Sequence, residues 1–279
     1  MNYLNKILFA LLINLFIFEA NAQIIQASSV SEIKAQISKF NNADTLVLFD
    51  VDYVLLAPKD SILRYAGETD RYRAKYFKAL TKDFQEQEIT LDSNKIPMPE
   101  YLISQILSSC KIELVSPEMP RFVNSLDSQN ITAIGFTANS TGKYGVVKNE
   151  AKLHLSRLKS LGYHFTHNDD LLKEDFPEYI SGVVFTNKKD KGKILIKFLK
   201  QLNRQYKNIV FIDDRLKNLN SVQNALKDQQ INYLAIQYTE LKDKNELLNR
   251  DIADKQFQIL RQQHKWISDD EACELIKKK

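Results

Sequence analysis

The chain has 279 residues, of which 44% are hydrophobic and 27% charged, and this composition excludes a disordered or fibrous protein. Seven glycines and six prolines are few for this length, which excludes collagen-like repeats and counts against a glycine-rich phosphate loop. The formal net charge is only +4 and the basic residues are spread along the chain, so we expect no nucleic-acid partner.

The first 22 residues have the pattern of a secretory signal peptide. Lys6 supplies a positive charge, residues 7–18 are apolar apart from Asn14, and Ala20-Asn21-Ala22 is a small-x-small cleavage site. A membrane anchor is the alternative, but an apolar run of about 12 residues is short against the roughly 20 that span a bilayer. We therefore predict cleavage after Ala22, an exported protein that is periplasmic or secreted, and no stable membrane insertion after cleavage.

The two cysteines, Cys110 and Cys273, are far apart in the sequence. An exported protein can form disulfides. One widely spaced pair makes no disulfide framework, however, and no C-x-x-C sequence indicates zinc or redox chemistry. Two free thiols are the favoured interpretation, and a disulfide between these cysteines is the alternative.

The first elements after the signal peptide are a helix and a buried strand. Ser29 and Glu32 are spaced as a capping box, which opens a helix running to about Phe40. Residues 46–49 form a continuous apolar run, which is typical of a strand buried on both faces. This strand ends directly before an acidic residue, Asp50.

Residues 59–116 are predicted to form a mostly helical insertion. They are rich in Tyr, Phe, Lys and Arg at helical spacing and contain no run typical of a strand, and a helix is expected from Tyr101. Basic residues such as Arg71 and Arg73, interleaved with aromatic ones, could bind an anionic substrate. An exposed basic face over a packed aromatic face is the favoured interpretation.

Strands and helices alternate through the rest of the chain. Ser116-Pro117 is typical of a helix start, and that helix is expected to run to about Leu126. The alternation predicts an α/β protein with a parallel, Rossmann-like sheet that has helices on both faces. The further predicted strands are residues 131–136, 183–185, 209–212 and 233–238, and the further predicted helices are residues 148–161, 191–202, 216–226 and 251–278.

Reactive side chains follow the predicted strands, at the edge of a parallel sheet where ligands bind. Carboxylates at such an edge suit Mg²⁺, which prefers oxygen ligands. Together with a hydroxyl and a lysine, they are the groups that phosphoryl transfer through an aspartyl-phosphate needs. In chain order these residues are Asp50 and Asp52, then Thr137, then Lys191 at a helix start, and finally Asp213 and Asp214.

These residues resemble the four ordered motifs of the haloacid-dehalogenase-like (HAD) hydrolase superfamily. The first motif is Asp50-Val51-Asp52-Tyr53-Val54, and the resemblance covers roughly residues 45–238. The chain looks most similar to secreted bacterial HAD-like proteins of undetermined function, and more distantly to periplasmic acid phosphatases. The resemblance implies a Rossmann-like core made of residues 23–58 and 117–279, with residues 59–116 as a helical cap.

The resemblance also implies a Mg²⁺-dependent phosphatase whose partner is a small phosphorylated substrate, a phosphomonoester. Asp50 would attack phosphorus, and Asp52 would serve as general acid and then general base. The implied ligands of Mg²⁺ are Asp50, Asp213 and the backbone carbonyl of Asp52, while Asp214 either binds Mg²⁺ through water or lies behind the direct ligands. The implied phosphate-binding residues are Thr137 and Lys191.

Some alternatives stay open at the level of the sequence. Lys188, Lys189 and Lys193 compete with Lys191 for the phosphate-binding role. Tyr53 stands where the superfamily commonly has a small or polar residue, so its ring either narrows the site or contacts the substrate. The alternative function is a non-catalytic secreted protein that keeps the fold to bind a ligand or partner. No pattern indicates a particular substrate or an oligomeric state.

Overall fold

Eleven strands, ten α-helices and two short 3-10 helices lie within the part of the chain that the computed structural model describes, residues 23–40, 43–64, 68–165, 171–243 and 248–278. The predicted signal peptide lies outside the described residues. The strands are β1 (Gln23–Ala27), β2 (Thr45–Phe49), β3 (Leu56–Pro58), β4 (Glu88–Leu91), β5 (Asn94–Pro97), β6 (Ile112–Leu114), β7 (Thr132–Thr137), β8 (Tyr179–Ile180), β9 (Val183–Phe185), β10 (Asn208–Asp213) and β11 (Asn232–Tyr238). The helices are α1 (Val30–Ile37), α2 (Glu68–Phe84), α3 (Met98–Ser109), α4 (Met119–Asp127), α5 (Glu150–Ser160), α6 (Lys191–Gln201), α7 (Leu216–Leu226), α8 (Glu240–Asp243), α9 (Arg250–Gln263) and α10 (Asp269–Lys277).

A seven-stranded sheet of order β1-β11-β10-β2-β7-β9-β8 forms the centre of the molecule. Its strands pair in parallel except for β8, which is antiparallel to β9. Alternate residues of β2 pack on opposite faces: Val47 and Phe49 contact the cluster that includes α1 and α4, while Leu46 and Leu48 contact the cluster that includes α6 and α7. The predicted α/β class with a mainly parallel sheet is confirmed.

Two local expectations differ from the structure. Strand β1 was not predicted, because QIIQA is short and half polar, and it becomes a strand through its pairing with β11, in which Gln23 lies opposite Leu234. The helix expected from Ser116-Pro117 begins later, at Met119, because the Ser116 carbonyl accepts a hydrogen bond from the Met119 N–H in a turn.

Residues 59–116 contain helices α2 and α3 and also strands, so the expectation that they lack strands is wrong. Strands β4 and β5 form a hairpin whose turn residues, Asp92 and Ser93, have φ of 48° and 65°. Positive φ at both central residues is the type I′ geometry that matches the twist of paired strands. Strands β3 and β6 pair antiparallel, with Leu56 opposite Leu114, so the segment leaves and re-enters the core side by side.

The end of the chain packs on this insertion. The Phe257 ring of α9 stacks on Tyr76 at 4.6 Å and meets Phe77 edge-on at 5.6 Å. The single helical segment predicted for residues 251–278 is two helices, because His264 takes a left-handed conformation with φ of 56° and ends α9. The insertion and α9 therefore share one hydrophobic cluster.

Two further sequence predictions concern cysteines and membranes. Cys110 is buried, Cys273 is half-buried, and both are free thiols. Within the described ranges, no helix combines the length and apolar character needed to cross a bilayer.

Candidate active site

The carboxyl ends of three neighbouring strands bring the predicted site residues together. Strand β2 lies between β10 and β7, so Asp50 after β2, Asp213 at the end of β10 and Thr137 at the end of β7 share one edge of the sheet. The Asp50 N–H donates to the Ile212 carbonyl at 2.9 Å, which continues the ladder between β2 and β10 to the site itself.

Lys191 lies between two carboxylates. Its Nζ is 2.9 Å from Oδ1 of Asp50 and 2.7 Å from Oδ2 of Asp213, and its side chain is only 2% exposed. Burial lowers the pKa of Lys191, but the two carboxylates outweigh it and raise that pKa above its usual value. The lysine is therefore charged and partly neutralises the acidic edge.

Gly192 explains how the lysine reaches this position. A Cβ at this glycine would lie 2.3 Å from the Ser221 carbonyl oxygen, so only glycine lets the start of α6 approach α7 so closely. Asp190 caps α6 by accepting from the Lys193 N–H at 2.9 Å, and its other oxygen accepts from the Ser221 hydroxyl at 2.7 Å. Both contacts fix the first turn of α6.

The competing lysines lie elsewhere. The Lys188 ammonium lies 4.7 Å from the ring centre of Tyr144, and Lys189 is 3.6 Å from a carboxylate oxygen of Glu178. Lys193 is exposed on α6. Of the four candidates, Lys191 is the one whose ion pairs include Asp50 and Asp213.

Three buried carboxylates form a cluster with the composition of a cation site. One oxygen from each of Asp50, Asp213 and Asp214 lies within 4.8 Å of the others. Burial and the Asp213 carboxylate raise the pKa of Asp50 well above its usual value and that of Asp214 to about 6. When all three carboxylates are ionised, the single charge of Lys191 leaves the cluster with excess negative charge. Hard oxygen ligands with excess negative charge fit Mg²⁺.

Asn218 and Arg215 orient the Asp213 carboxylate. The Asn218 side-chain amide lies 3.0 Å from each carboxylate oxygen, and the Arg215 N–H donates to Oδ1 at 2.8 Å. Asn218 was not predicted from the sequence. Its position in the first turn of α7, five residues after Asp213, is the signal that could have found it.

Asp52 is not one of the three clustered carboxylates, and its own carboxylate contacts Asn139 instead. Its Oδ2 accepts from the Asn139 side-chain amide at 2.7 Å, and the same amide nitrogen is 3.3 Å from Nδ1 of His154. Burial lowers the pKa of His154, so its imidazole is neutral at pH 7, and its Nε2 has no hydrogen-bond partner among the described residues. Asn139 was not predicted from the sequence, although it lies two residues after the end of β7.

Tyr53 links the first motif to the insertion. Its backbone has a φ of 66°, which is rare for an aromatic residue, and its N–H donates to the Leu56 carbonyl at 2.7 Å in a tight turn. Its phenol donates to the Leu63 carbonyl at 2.9 Å. Tyr53 also lines the cavity next to the site. The sequence had left open whether its ring narrows the site or contacts the substrate.

A cavity of about 380 Å³ lies between the strand ends and the insertion. Its strand-end wall includes four of the predicted residues, Asp50, Asp52, Thr137 and Asp214. The opposite wall comes from the insertion and is largely apolar, but it includes the half-buried Arg73, one of the basic residues that the sequence offered as a possible anion binder. Carboxylates, a hydroxyl and a partly open cavity of this size suit a small ligand with an anionic or metal-associated group.

Comparison with known proteins gives a family and several relatives. A family model described as "Protein of unknown function (DUF2608)" matches residues 26–273. An uncharacterised protein of Rickettsia prowazekii is 26% identical over 290 residues, covering 100% of both chains. A Chlamydia trachomatis protein named "Putative outer membrane protein" is 26% identical over 251 residues, covering 88% of each chain.

A shorter similarity involves a viral protein. The "RNAP inhibitory protein" of Acidianus two-tailed virus is 34% identical over 83 residues, which cover 30% of this chain and 46% of that protein. No solved structure matches the chain.

Proposed function

The chain belongs to the family described as "Protein of unknown function (DUF2608)", and we propose that it is a Mg²⁺-dependent phosphatase of the HAD type. It would hydrolyse a small phosphomonoester through an aspartyl-phosphate. The observation that carries the proposal is the contact of Lys191 with both Asp50 and Asp213, beside Asp214 and next to a cavity.

The proposed first step is attack by Asp50. A carboxylate oxygen of Asp50 bonds to phosphorus, the bond from phosphorus to the alcohol oxygen breaks, and Asp52 gives its proton to the leaving oxygen. Lys191 and the hydroxyl of Thr137 hold the phosphoryl oxygens. The hydrogen bond from Asn139 to Oδ2 of Asp52 keeps the acid at the edge of the cavity.

In the second step Asp52 accepts a proton from water, which attacks the phosphorus of the aspartyl-phosphate. The bond between phosphorus and Asp50 breaks, inorganic phosphate leaves, and both carboxyl groups return to their starting states. Mg²⁺, held by Asp50, Asp213, Asp214 and the backbone carbonyl of Asp52, would stabilise negative charge on the phosphoryl oxygens.

The order of the motifs along the chain and their positions in the fold support the HAD assignment. The four motifs follow one another along the chain, and their side chains meet at adjacent ends of a mainly parallel sheet. The insertion follows the first motif, and its β3–β6 stem places it beside the cavity.

We also propose that the protein is exported and is periplasmic or secreted. The signal-peptide pattern of residues 1–22 supports this. The name of the chlamydial relative is compatible with it. The intact mass of the exported protein tests the proposal, and a full-length mass would contradict it.

Phosphate release from 4-nitrophenyl phosphate, with Mg²⁺ and with EDTA, tests the phosphatase. We expect activity that needs Mg²⁺ and is lost in Asp50→Asn, which keeps the side-chain shape but removes the nucleophilic oxygen. Asp228→Asn is the matched control, because Asp228 is exposed after α7. Activity that survives EDTA and Asp50→Asn would contradict the mechanism, and a folded protein without activity would favour the non-catalytic alternative.

A further inference from the structure

The cavity has two chemically different walls. The strand-end wall carries the carboxylates and the Thr137 hydroxyl described above. The insertion wall is built by one face of α3, where Ile103, Ile106 and Leu107 are spaced i, i+3 and i+4, together with Phe77 of α2 and Leu63. A ligand bound by its anionic group at the first wall would therefore place the rest of its structure against apolar side chains.

Within the described part of the chain, the insertion wall carries one charged side chain, Arg73, whose guanidinium lies 3.5 Å from the Tyr53 hydroxyl. The other polar groups near this wall form hydrogen bonds within the protein. The Arg157 guanidinium donates to the carbonyls of Leu107 at 2.5 Å and Cys110 at 3.3 Å, so it fixes the end of α3. The Ser104 hydroxyl donates to the Tyr101 carbonyl at 2.7 Å and accepts from the Val146 N–H at 2.9 Å. Among the described residues that line the cavity, the carboxylates all belong to the strand-end wall.

We propose that the natural substrate is a phosphate monoester whose alcohol part is apolar, such as one aromatic ring or a short branched chain. This inference rests on the phosphatase function proposed above. A sugar or nucleoside would place hydroxyl or base polar atoms against Ile103, Leu107 and Phe77, where they would lose water without gaining partners. An apolar group would instead gain the burial of its surface. The cavity of about 380 Å³ accommodates a compact group of this kind beside the phosphate.

A series of primary-alcohol esters tests the proposal without large differences in leaving group. We would measure kcat/KM of the purified protein with Mg²⁺ for benzyl phosphate and isopentyl phosphate against glycerol 1-phosphate and ribose 5-phosphate. The apolar esters should be favoured by about tenfold or more, as expected for a site that discriminates by apolar contacts. Equal values, or a preference for the hydroxylated esters, would overturn the inference and leave the phosphatase function standing.

A nearly isosteric substitution tests the wall itself. Leu107→Asn adds an amide to the apolar wall and keeps the backbone carbonyl that Arg157 contacts. It should lower kcat/KM for benzyl phosphate about tenfold and leave ribose 5-phosphate within about twofold. Leu275→Asn is the control, because Leu275 is 39% exposed on α10 and does not line the cavity. Equal losses on both esters would overturn the proposed contact.

A binding measurement separates the two proposals if no ester is hydrolysed. Calorimetry would compare benzylphosphonate with 2-hydroxyethylphosphonate, which cannot be hydrolysed. Tighter binding of benzylphosphonate, weakened by Leu107→Asn, would support the apolar wall even though the phosphatase function had failed. Absence of this preference would overturn the inference as well.

Discussion

At the scale of single residues, Asp214 shows how an ionised carboxylate buried in the site lowers the stability of the folded protein. Its carboxyl is buried beside Asp213, and its pKa of about 6 lies above the usual 3.8. The native protein therefore binds more protons than the unfolded chain between about pH 4 and 6. Stability is lost as the pH rises through this window, because the charged form is the one that burial penalises. A bound cation would relieve this penalty.

We therefore predict that Asp214→Asn stabilises the metal-free protein. The gain should reach roughly 3 kcal/mol at pH 7.5, from a shift of about two pKa units, and should vanish towards pH 4. Urea unfolding in EDTA across this pH range measures it, with Asp228→Asn as the exposed control. Mg²⁺ should stabilise the variant less than the wild type. A variant that is less stable at pH 7.5 would contradict the expected penalty.

Residues at the strand ends were predictable because a parallel sheet gathers whatever follows its strands at one edge. Asp50, Thr137 and Asp213 illustrate this, since each follows a continuous apolar run. His154 could not be found in this way. It lies on a buried face of α5, and only the packing of that helix brings it to Asn139.

At the scale of elements, the contact between α6 and α7 positions the lysine. Gly192→Ala would place a Cβ 2.3 Å from the Ser221 carbonyl and 2.8 Å from the Ala225 Cβ, so the two helices must separate. We predict a loss of roughly 1–3 kcal/mol of unfolding free energy, as for other overpacked sites. We also predict a fall in kcat/KM, because Lys191 would move with the start of α6.

Gly142→Ala is the matched control for this prediction. A Cβ at Gly142 meets no atom within 4 Å, so its unfolding midpoint and kcat/KM should stay close to those of the wild type. Urea unfolding and phosphate release measure both variants. Equal effects of the two substitutions would show that the close helix contact does not position the lysine.

Elements inside the insertion were harder to predict than those of the sheet. The helices α2 and α3 have clear periodicity, but β4 and β5 are short and polar, and β5 has a single buried residue, Ile96. Their hairpin depends on left-handed Asp92 and Ser93, which are less common than glycine at such turns. The local sequence pattern therefore gave little indication that β4 and β5 form strands.

At the scale of the whole molecule, the C-terminal segment is held on the insertion by contacts between distant parts of the chain. Asp60, at the start of the insertion, accepts from the Trp266 indole at 2.8 Å and from the Asp269 N–H at 3.0 Å. Asp269 in turn accepts from the Ser61 N–H at 2.9 Å. This arrangement could not be predicted, because it joins residues about 200 positions apart in the sequence.

The last prediction concerns this connection. Trp266→Phe removes the indole donor to Asp60, whose pKa burial already raises. We expect a loss of roughly 1.5–3 kcal/mol at pH 8, as for hydrogen bonds to charged groups. The removed bond stabilises the ionised carboxylate, so the loss should shrink as the pH falls through the raised pKa and Asp60 becomes protonated.

The control for Trp266→Phe is a substitution that removes one donor to a neutral acceptor. Tyr233→Phe loses the hydrogen bond from its phenol to the Leu219 carbonyl, 3.1 Å long, and should lose only about 0.5–1.5 kcal/mol, nearly the same at pH 4 and pH 8. Urea unfolding followed by circular dichroism at both pH values compares the variants, because Trp266 is the single tryptophan and its fluorescence is lost in one of them. A Trp266→Phe loss that is the same at pH 4 and pH 8 would mean that packing of the indole, rather than its bond to Asp60, holds the C-terminal segment on the insertion.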